Sequence, residues 1–180
     1  MLLLVLLLLL LLYLGAIMPR TFHRKDFSVF KNPYFAHRGL HGGSGTDKVP
    51  ENSLPAFLRA VEQGYGIELD VQLSKDRIPV VFHDFTLKRV CGIAQKVCEL
   101  TCEELKSLRL AHSNESIPTL EEVLNTVKGR VPLLIEFKVE FTDTSVCDIT
   151  SPMLNIKAIT ASNPLIPLYC SGTGVSSLLS

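Results

Sequence analysis

Apolar and polar positions alternate strictly over residues 66–73. Ile67, Leu69 and Val71 share one face, and Glu68, Asp70 and Gln72 share the other. The same period of two returns over Val131–Val139, where Ile135, Phe137 and Val139 alternate with Glu136 and Lys138. Both stretches predict strands with one apolar face and one face carrying carboxylates. Two shorter apolar runs, Tyr34–Ala36 and Ile78–Phe82, predict buried strands, and each delivers a histidine at its end, His37 and His83. Helical spacing appears at Leu54–Gln63, with Ser53 as cap, Pro55 in the first turn and Gly64 as stop. Shorter helices are predicted over Cys102–Leu108 and Leu120–Val127. Each opens with a capping box, Thr101 with Glu104 and Thr119 with Glu122, and Gly129 stops the second. Leu40–Val49 is glycine-rich and predicts a loop; Ser74–Arg77 predicts a turn. Strand, helix, strand, strand, short helices, strand is an order that fits a parallel α/β barrel, in which active-site groups gather at the C-terminal ends of strands. An open α/β sheet is the competing architecture.

The first residues break this pattern. Leu2–Met18 is almost wholly apolar and is followed by Arg20, Arg24 and Lys25. As a helix these residues span roughly 25 Å, slightly short of a ~30 Å hydrocarbon core. No basic residue precedes the run, and Gly15-Ala16-Ile17 is a poor cleavage site, so a retained single-pass anchor is expected over a cleaved signal. The basic flank after the helix places the following domain on the cytoplasmic side. Net charge is zero, and no basic run exceeds three residues, which gives no reason to expect nucleic acid as a partner. The five cysteines show no C-x-x-C pair, so free thiols are expected rather than a disulfide framework or a zinc site. The sequon Asn114-Glu115-Ser116 would matter only in a secretory lumen.

Glu68 and Asp70 sit two apart on one strand, so both carboxylates point the same way; Glu136 adds a third from another strand. Three oxygen donors suit a hard cation, Ca²⁺ or Mg²⁺, better than zinc. His37 and His83 could serve one cavity as general acid and base. Arg38 offers a planar fork for phosphate oxygens. Lys138 is either a charge partner of Glu136 or a second phosphate contact, and Glu51 could cap the helix that follows it. The inventory suits metal-assisted cleavage of a phosphate ester.

Five motifs stand in order between Tyr34 and Val139: H-R-G, P-E-N-S-x-x-A-F, G-x-x-x-E-L-D-V, S-K-D-x-x-P-V-V-x-H-D and L-L-I-E-F-K, with I-P-T-L-E-E-V-L at Ile117–Leu124. This order resembles the glycerophosphodiester phosphodiesterase family, and the apolar N-terminus resembles its membrane-anchored branches. The resemblance implies the N-terminal half of a TIM (β/α)₈ barrel preceded by one transmembrane helix. It also implies metal-dependent hydrolysis of glycerophosphodiesters to glycerol 3-phosphate and an alcohol. Carried over to this chain, Glu68, Asp70 and Glu136 match the metal ligands, His37 and His83 the acid–base pair, and Arg38 the phosphate-binding arginine. Glu51 and Lys138 match further substrate-binding residues. A lysophospholipase D or another lipid phosphodiesterase on the same barrel is the alternative, as is an inactive, membrane-tethered remnant that binds a metal or a partner.

The expected organisation is an anchor at 1–19, a juxtamembrane linker at 20–33, a partial barrel at 34–154 and an irregular tail at 155–180. Beyond residue 150 Lys157 is the sole charged side chain, and the Ser, Leu, Pro and Gly of the tail carry no strand or helix period. Back-translated and read one base over, the tail from Asn155 admits a C-I-E-S-F-x-P stretch that resembles the family's next strand. A frame-shifted tail and impaired activity are therefore expected.

Overall fold

The computed structural model describes residues 34–44, 48–139 and 145–150, together with position 152, the strand Tyr169–Ser171 and the helical positions 7, 10 and 13. The chain divides into two units, Met1–Lys31 and Asn32–Ser180. In the first, Leu7, Leu10 and Tyr13 are exposed. No helix among the described residues is long and apolar enough to cross a membrane. The anchor expected at 1–19 and the linker at 20–33 fall almost wholly outside the described residues.

The second unit is built on a sheet of β1 (Phe35–His37), β2 (Gly66–Leu73), β3 (Pro79–Val81), β4 (Leu133–Lys138) and β5 (Tyr169–Ser171). Four strands run parallel in the order β1-β2-β4-β5. β3 corrects the expectation of an all-parallel set: it pairs antiparallel with the far end of β2, Val71 opposite Val81 and Leu73 opposite Pro79. The cause is the length of the link. A parallel crossover needs a dozen or more residues, and the turn at Ser74–Arg77 is far shorter. That turn closes on itself, with the Ile78 amide donating to Ser74 Oγ at 2.9 Å and Ser74 Oγ donating to Asp76 at 2.6 Å. Within the tail expected to be irregular, Tyr169–Ser171 forms β5 and pairs with Glu136–Lys138. Three residues are too few to show a period.

The helices are α1 (Leu54–Glu62), α2 (Lys88–Cys91), α3 (Cys102–Ser107) and α4 (Leu120–Val127). Ser53 caps α1, and the two capping boxes at Thr101 and Thr119 form as expected. Phe57 and Ala60 of α1 and Leu120, Val123, Leu124 and Val127 of α4 cover the apolar face of the sheet, packing on Ile67, Leu69, Val71, Leu133, Ile135 and Phe137. A second core, separate from the first, fills the excursion between β3 and α4 with Val80, Phe82, Leu87, Val90, Val97, Leu105, Leu110 and Ile117. With helices on one face, the other face of β2 and β4 is left to the polar residues. Among the described residues Cys91, Cys98, Cys102 and Cys147 form no disulfide, and burial pushes the Cys91 thiol up to about 11, outside the reactive range.

Candidate functional site

Register assembles the acidic cluster. Asp70 of β2 lies directly opposite Glu136 of β4, and His37 of β1 lies opposite Glu68. One carboxylate oxygen from each of Glu68, Asp70 and Glu136 lies within 4.8 Å of the others. A solvated sheet face does not describe them, because Asp70 is 1 % exposed. Buried carboxylates need partners, and cations surround these. Lys138 Nζ donates to Glu136 Oε1 at 2.7 Å and pairs with Asp70 Oδ1 at 3.2 Å. Asn52 Nδ2 donates to Asp70 Oδ2 at 3.0 Å, and Arg38 Nε stands 3.6 Å from the same oxygen.

The chain's path after β1 aims Arg38. Its backbone is left-handed, with φ of 56°, and its amide donates to Glu68 Oε2 at 3.0 Å. A residue without Gly's freedom costs about 1–3 kcal/mol in this conformation unless its surroundings compensate it. Gly39 follows with φ of 80°; a Cβ there would stand 2.8 Å from the Ala56 Cβ of α1, so the chain passes the helix at a distance only glycine permits. Asn52 is also left-handed, at φ of 52°, which turns its amide group toward Asp70. Glu51 does not cap α1, as the sequence suggested; Ser53 does. Glu51 instead accepts from Arg38 Nη1 at 3.0 Å and from Arg89 Nη1 and Nη2 at 3.1 and 2.6 Å.

The two histidines meet different acids. His37 Nε2 is 3.9 Å from Glu68 Oε2, with its side chain 69 % exposed. His83 Nδ1 is 2.6 Å from Asp84 Oδ1. The antiparallel return of β3 brings His83 to this level, since Phe82 N donates to the Asp70 carbonyl at 3.0 Å. Gln72, on the polar face of β2 and 5 % exposed, donates to both the Phe82 and Asp84 carbonyls at 2.8 Å. Arg89 donates from Nε to Asp84 Oδ2 at 2.6 Å. Gln72 could have been found from its place in the Glu68-Asp70-Gln72 alternation. Asp84 and Asn52 stand inside the family motifs, where the sequence gives them no role, and Arg89 carried no signal at all.

The carboxylates differ in how they titrate. Burial, and then the charge of Asp70, push Glu68 above its ordinary value. Burial would raise Glu51 as well, but the hydrogen bond and charge of Arg89 and then Arg38 outweigh it and hold the group low. Asp84 follows the same logic: burial raises it, and Arg89 and His83 more than reverse that. Burial would lower Lys138, yet Glu136 and Asp70 hold its ammonium charged.

The cluster fits a divalent cation. Asp70 Oδ1 is buried without a hydrogen bond, although it sits in the ion pair with Lys138, and the Asn52 Oδ1 acceptor is likewise unmet. An oxygen-only set of three carboxylates is the donor chemistry of Ca²⁺ or Mg²⁺.

Residues 37–159 match the model of the glycerophosphoryl diester phosphodiesterase family. The chain belongs to that family. A glycerophosphodiester phosphodiesterase of Bacillus altitudinis is 41 % identical over 113 residues, covering 59 % of this chain and 44 % of the relative. Glycerophosphodiester phosphodiesterase 1 of Bos taurus is 38 % identical over 98 residues, 49 % of this chain and 28 % of the relative. The chain thus spans less than half the length of these two curated relatives. Among solved structures, the Thermotoga maritima glycerophosphodiester phosphodiesterase superposes with a TM-score of 0.58 at 33 % identity, over 76 % of this chain and 52 % of that one. An Oleispira antarctica phosphodiesterase, solved in complex with the product sn-glycerol-3-phosphate, superposes with a TM-score of 0.57 at 29 % identity, over 76 % and 56 %. The parallel sheet of this glycerophosphodiester phosphodiesterase family member therefore corresponds to part of its relatives' α/β fold.

Proposed function

We propose that the polar face of β1, β2 and β4 is the metal- and phosphate-binding part of a phosphodiesterase site. Its chemistry is hydrolysis of a glycerophosphodiester to glycerol 3-phosphate and an alcohol. The observation that carries this reading is the convergence of Glu68, Asp70 and Glu136 within 4.8 Å, beside Arg38 and Lys138. Glu68, Asp70 and Glu136 would hold Ca²⁺ or Mg²⁺. When bound, such a cation polarises a phosphoryl oxygen and lowers the pKa of a coordinated hydroxyl. Arg38 presents its guanidinium fork to the phosphate, and Lys138 adds a point charge. Glu51 holds the Arg38 fork in place. His83, tied to Asp84 through Nδ1, keeps Nε2 for proton transfer, and the exposed His37 is the second proton carrier. The apolar run at 2–18 we assign as a single anchor with the catalytic unit on the cytoplasmic side; protease protection in sealed vesicles tests it.

The test of function is release of glycerol 3-phosphate from glycerophosphocholine by the full chain, with Ca²⁺, with Mg²⁺ and with chelator. Cation-dependent product that disappears in Asp70→Asn and His83→Ala supports the reading. Cation binding without product overturns it in favour of a non-catalytic remnant. Faster choline release from lysophosphatidylcholine than product from glycerophosphocholine overturns the substrate assignment in favour of a lysophospholipase D.

A further inference from the structure

Arg89 lies on α2, in the excursion, outside the acidic cluster and outside the motifs quoted from the sequence. Its guanidinium nevertheless makes four hydrogen bonds to two carboxylates that come from opposite sides of the site: to Asp84 Oδ2 and Oδ1 at 2.6 and 3.1 Å, and to Glu51 Oε1 and Oε2 at 2.6 and 3.1 Å. Asp84 in turn holds the His83 ring at 2.6 Å, and Glu51 holds Arg38 at 3.0 Å. One planar group thus joins the residue that would exchange the proton to the residue that would grip the phosphate. From this geometry we propose that Arg89 is a positioning residue. It fixes His83 in the tautomer with the proton on Nδ1, and it keeps Glu51 paired when Arg38 turns from it to the phosphate.

Both halves follow from the shape of the contacts. A carboxylate that accepts from Arg89 through both oxygens cannot rotate freely, so the oxygen facing His83 Nδ1 stays in place. An ionised carboxylate has no proton to give, so the imidazole must donate from Nδ1, which leaves the Nε2 lone pair open as a base. Glu51 Oε1 is shared between Arg38 and Arg89. When a phosphate draws Arg38 away, Glu51 still has a cation, so the departure of Arg38 does not strand a half-buried charge. A lysine cannot do this, since its single ammonium does not match two carboxylates with parallel pairs of bonds. Arg89 does not touch the acidic cluster in any described contact, and with its side chain 50 % exposed it carries little of the folding core.

This assignment rests on the phosphodiesterase reading for its kinetic consequence, but not for its structural one. The experiment therefore has two readouts on the full chain and on Arg89→Ala and Arg89→Lys. Ring ¹⁵N shifts of His83, assigned with His83→Gln, report the tautomer with no substrate present. Steady-state turnover of glycerophosphocholine with Ca²⁺ or Mg²⁺ reports kcat and KM. The wild type is expected to show the Nδ1–H form, and Arg89→Ala a mixed population, with kcat lowered about 10-fold to 100-fold and KM raised, because Glu51 then holds Arg38 back from the phosphate. Arg89→Lys keeps the charge and the stem, so it serves where Arg89→Ala fails to fold, and it is expected to lie between the two. A wild-type tautomer in both variants overturns the proposal, as does an unchanged kcat in Arg89→Ala. If the wild type turns nothing over, the phosphodiesterase reading fails, and the ring shifts alone decide the role of Arg89.

Discussion

The two hydrophobic cores of this unit do different jobs. The first lies under the sheet and is covered by α1 and α4; the carboxylates Glu68, Asp70 and Glu136 ride on the reverse of the strands that form it. The second lies inside the excursion and shares no buried residue with the first. It meets the site through polar contacts, by way of Arg89 to Glu51 and of Gln72 to the Phe82 and Asp84 carbonyls. On the proposed reading, cation binding depends on the sheet core, whereas the placing of His83 draws on the excursion. The two functions should be separable by mutation.

The largest expected effect comes from Phe57→Ala. Phe57 is fully buried in the sheet core and touches the close passage at Gly39. Losing the ring costs about 3–5 kcal/mol, a large part of the stability of a small domain. Urea unfolding should show the midpoint collapse and cation binding vanish with it. Leu105→Ala, in the fully buried heart of the second core, should cost somewhat less, about 2–4 kcal/mol. Its signature is selective. Hydrogen exchange should rise in the excursion while Ca²⁺ binding at Glu68, Asp70 and Glu136 survives. Equal loss of cation binding in both variants would show that the two cores unfold as one.

These cores are not equally legible in the sequence. Period two in β2 and β4 puts Ile67, Leu69, Ile135 and Phe137 on the core face and the three carboxylates on the opposite one, as the fold bears out. Caps at Ser53, Thr101 and Thr119 are local signals that need no tertiary knowledge, and all three form. The direction of β3 is also within reach, because a four-residue turn leaves no room for a parallel crossover. The excursion beyond His83 reveals less. α2 is one turn long and has no period, so Arg89 cannot be set on any face. Its partners lie 5 and 38 residues away, and the longer contact exists only once β1, β2 and β3 are in place.

A cation should sharpen the comparison from the other side. At a hundred times its dissociation constant, a cation bound only to the folded chain adds about 2.7 kcal/mol. Thermal unfolding with Ca²⁺ or Mg²⁺ should shift upward in the wild type and not in Asp70→Asn. Disruption of the excursion by Leu105→Ala should leave most of that shift intact. Ser53→Ala is a smaller change: its side chain accepts from the Ala56 amide at the start of α1, and its loss should cost about 1 kcal/mol without altering the cation response.

The smallest effect, and the one that separates the regions by sign, is pH. Burial pushes Glu51 and Asp84 up, but Arg89 leads the groups that reverse this and hold each below its ordinary value of 4.5 or 3.8. A carboxyl depressed on folding stabilises fully above its unfolded value and loses that contribution as pH falls through the folded one. Glu68 runs the other way. Burial and then Asp70 raise it from 4.5, so without a cation its contribution is present below that value and is lost as pH rises. Arg89→Ala weakens the first two, which keep Arg38 and His83 as partners, and leaves the third. Urea midpoints measured from about pH 3 to pH 6 should therefore fall less steeply on the acid side in Arg89→Ala than in the wild type. Saturating Ca²⁺ should remove the opposing Glu68 slope in both, because a bound cation holds that carboxylate ionised. Parallel curves for the two proteins without cation would mean that Arg89 does not couple to Glu51 and Asp84 in solution, and the polar bridge between the cores would lose its main strand.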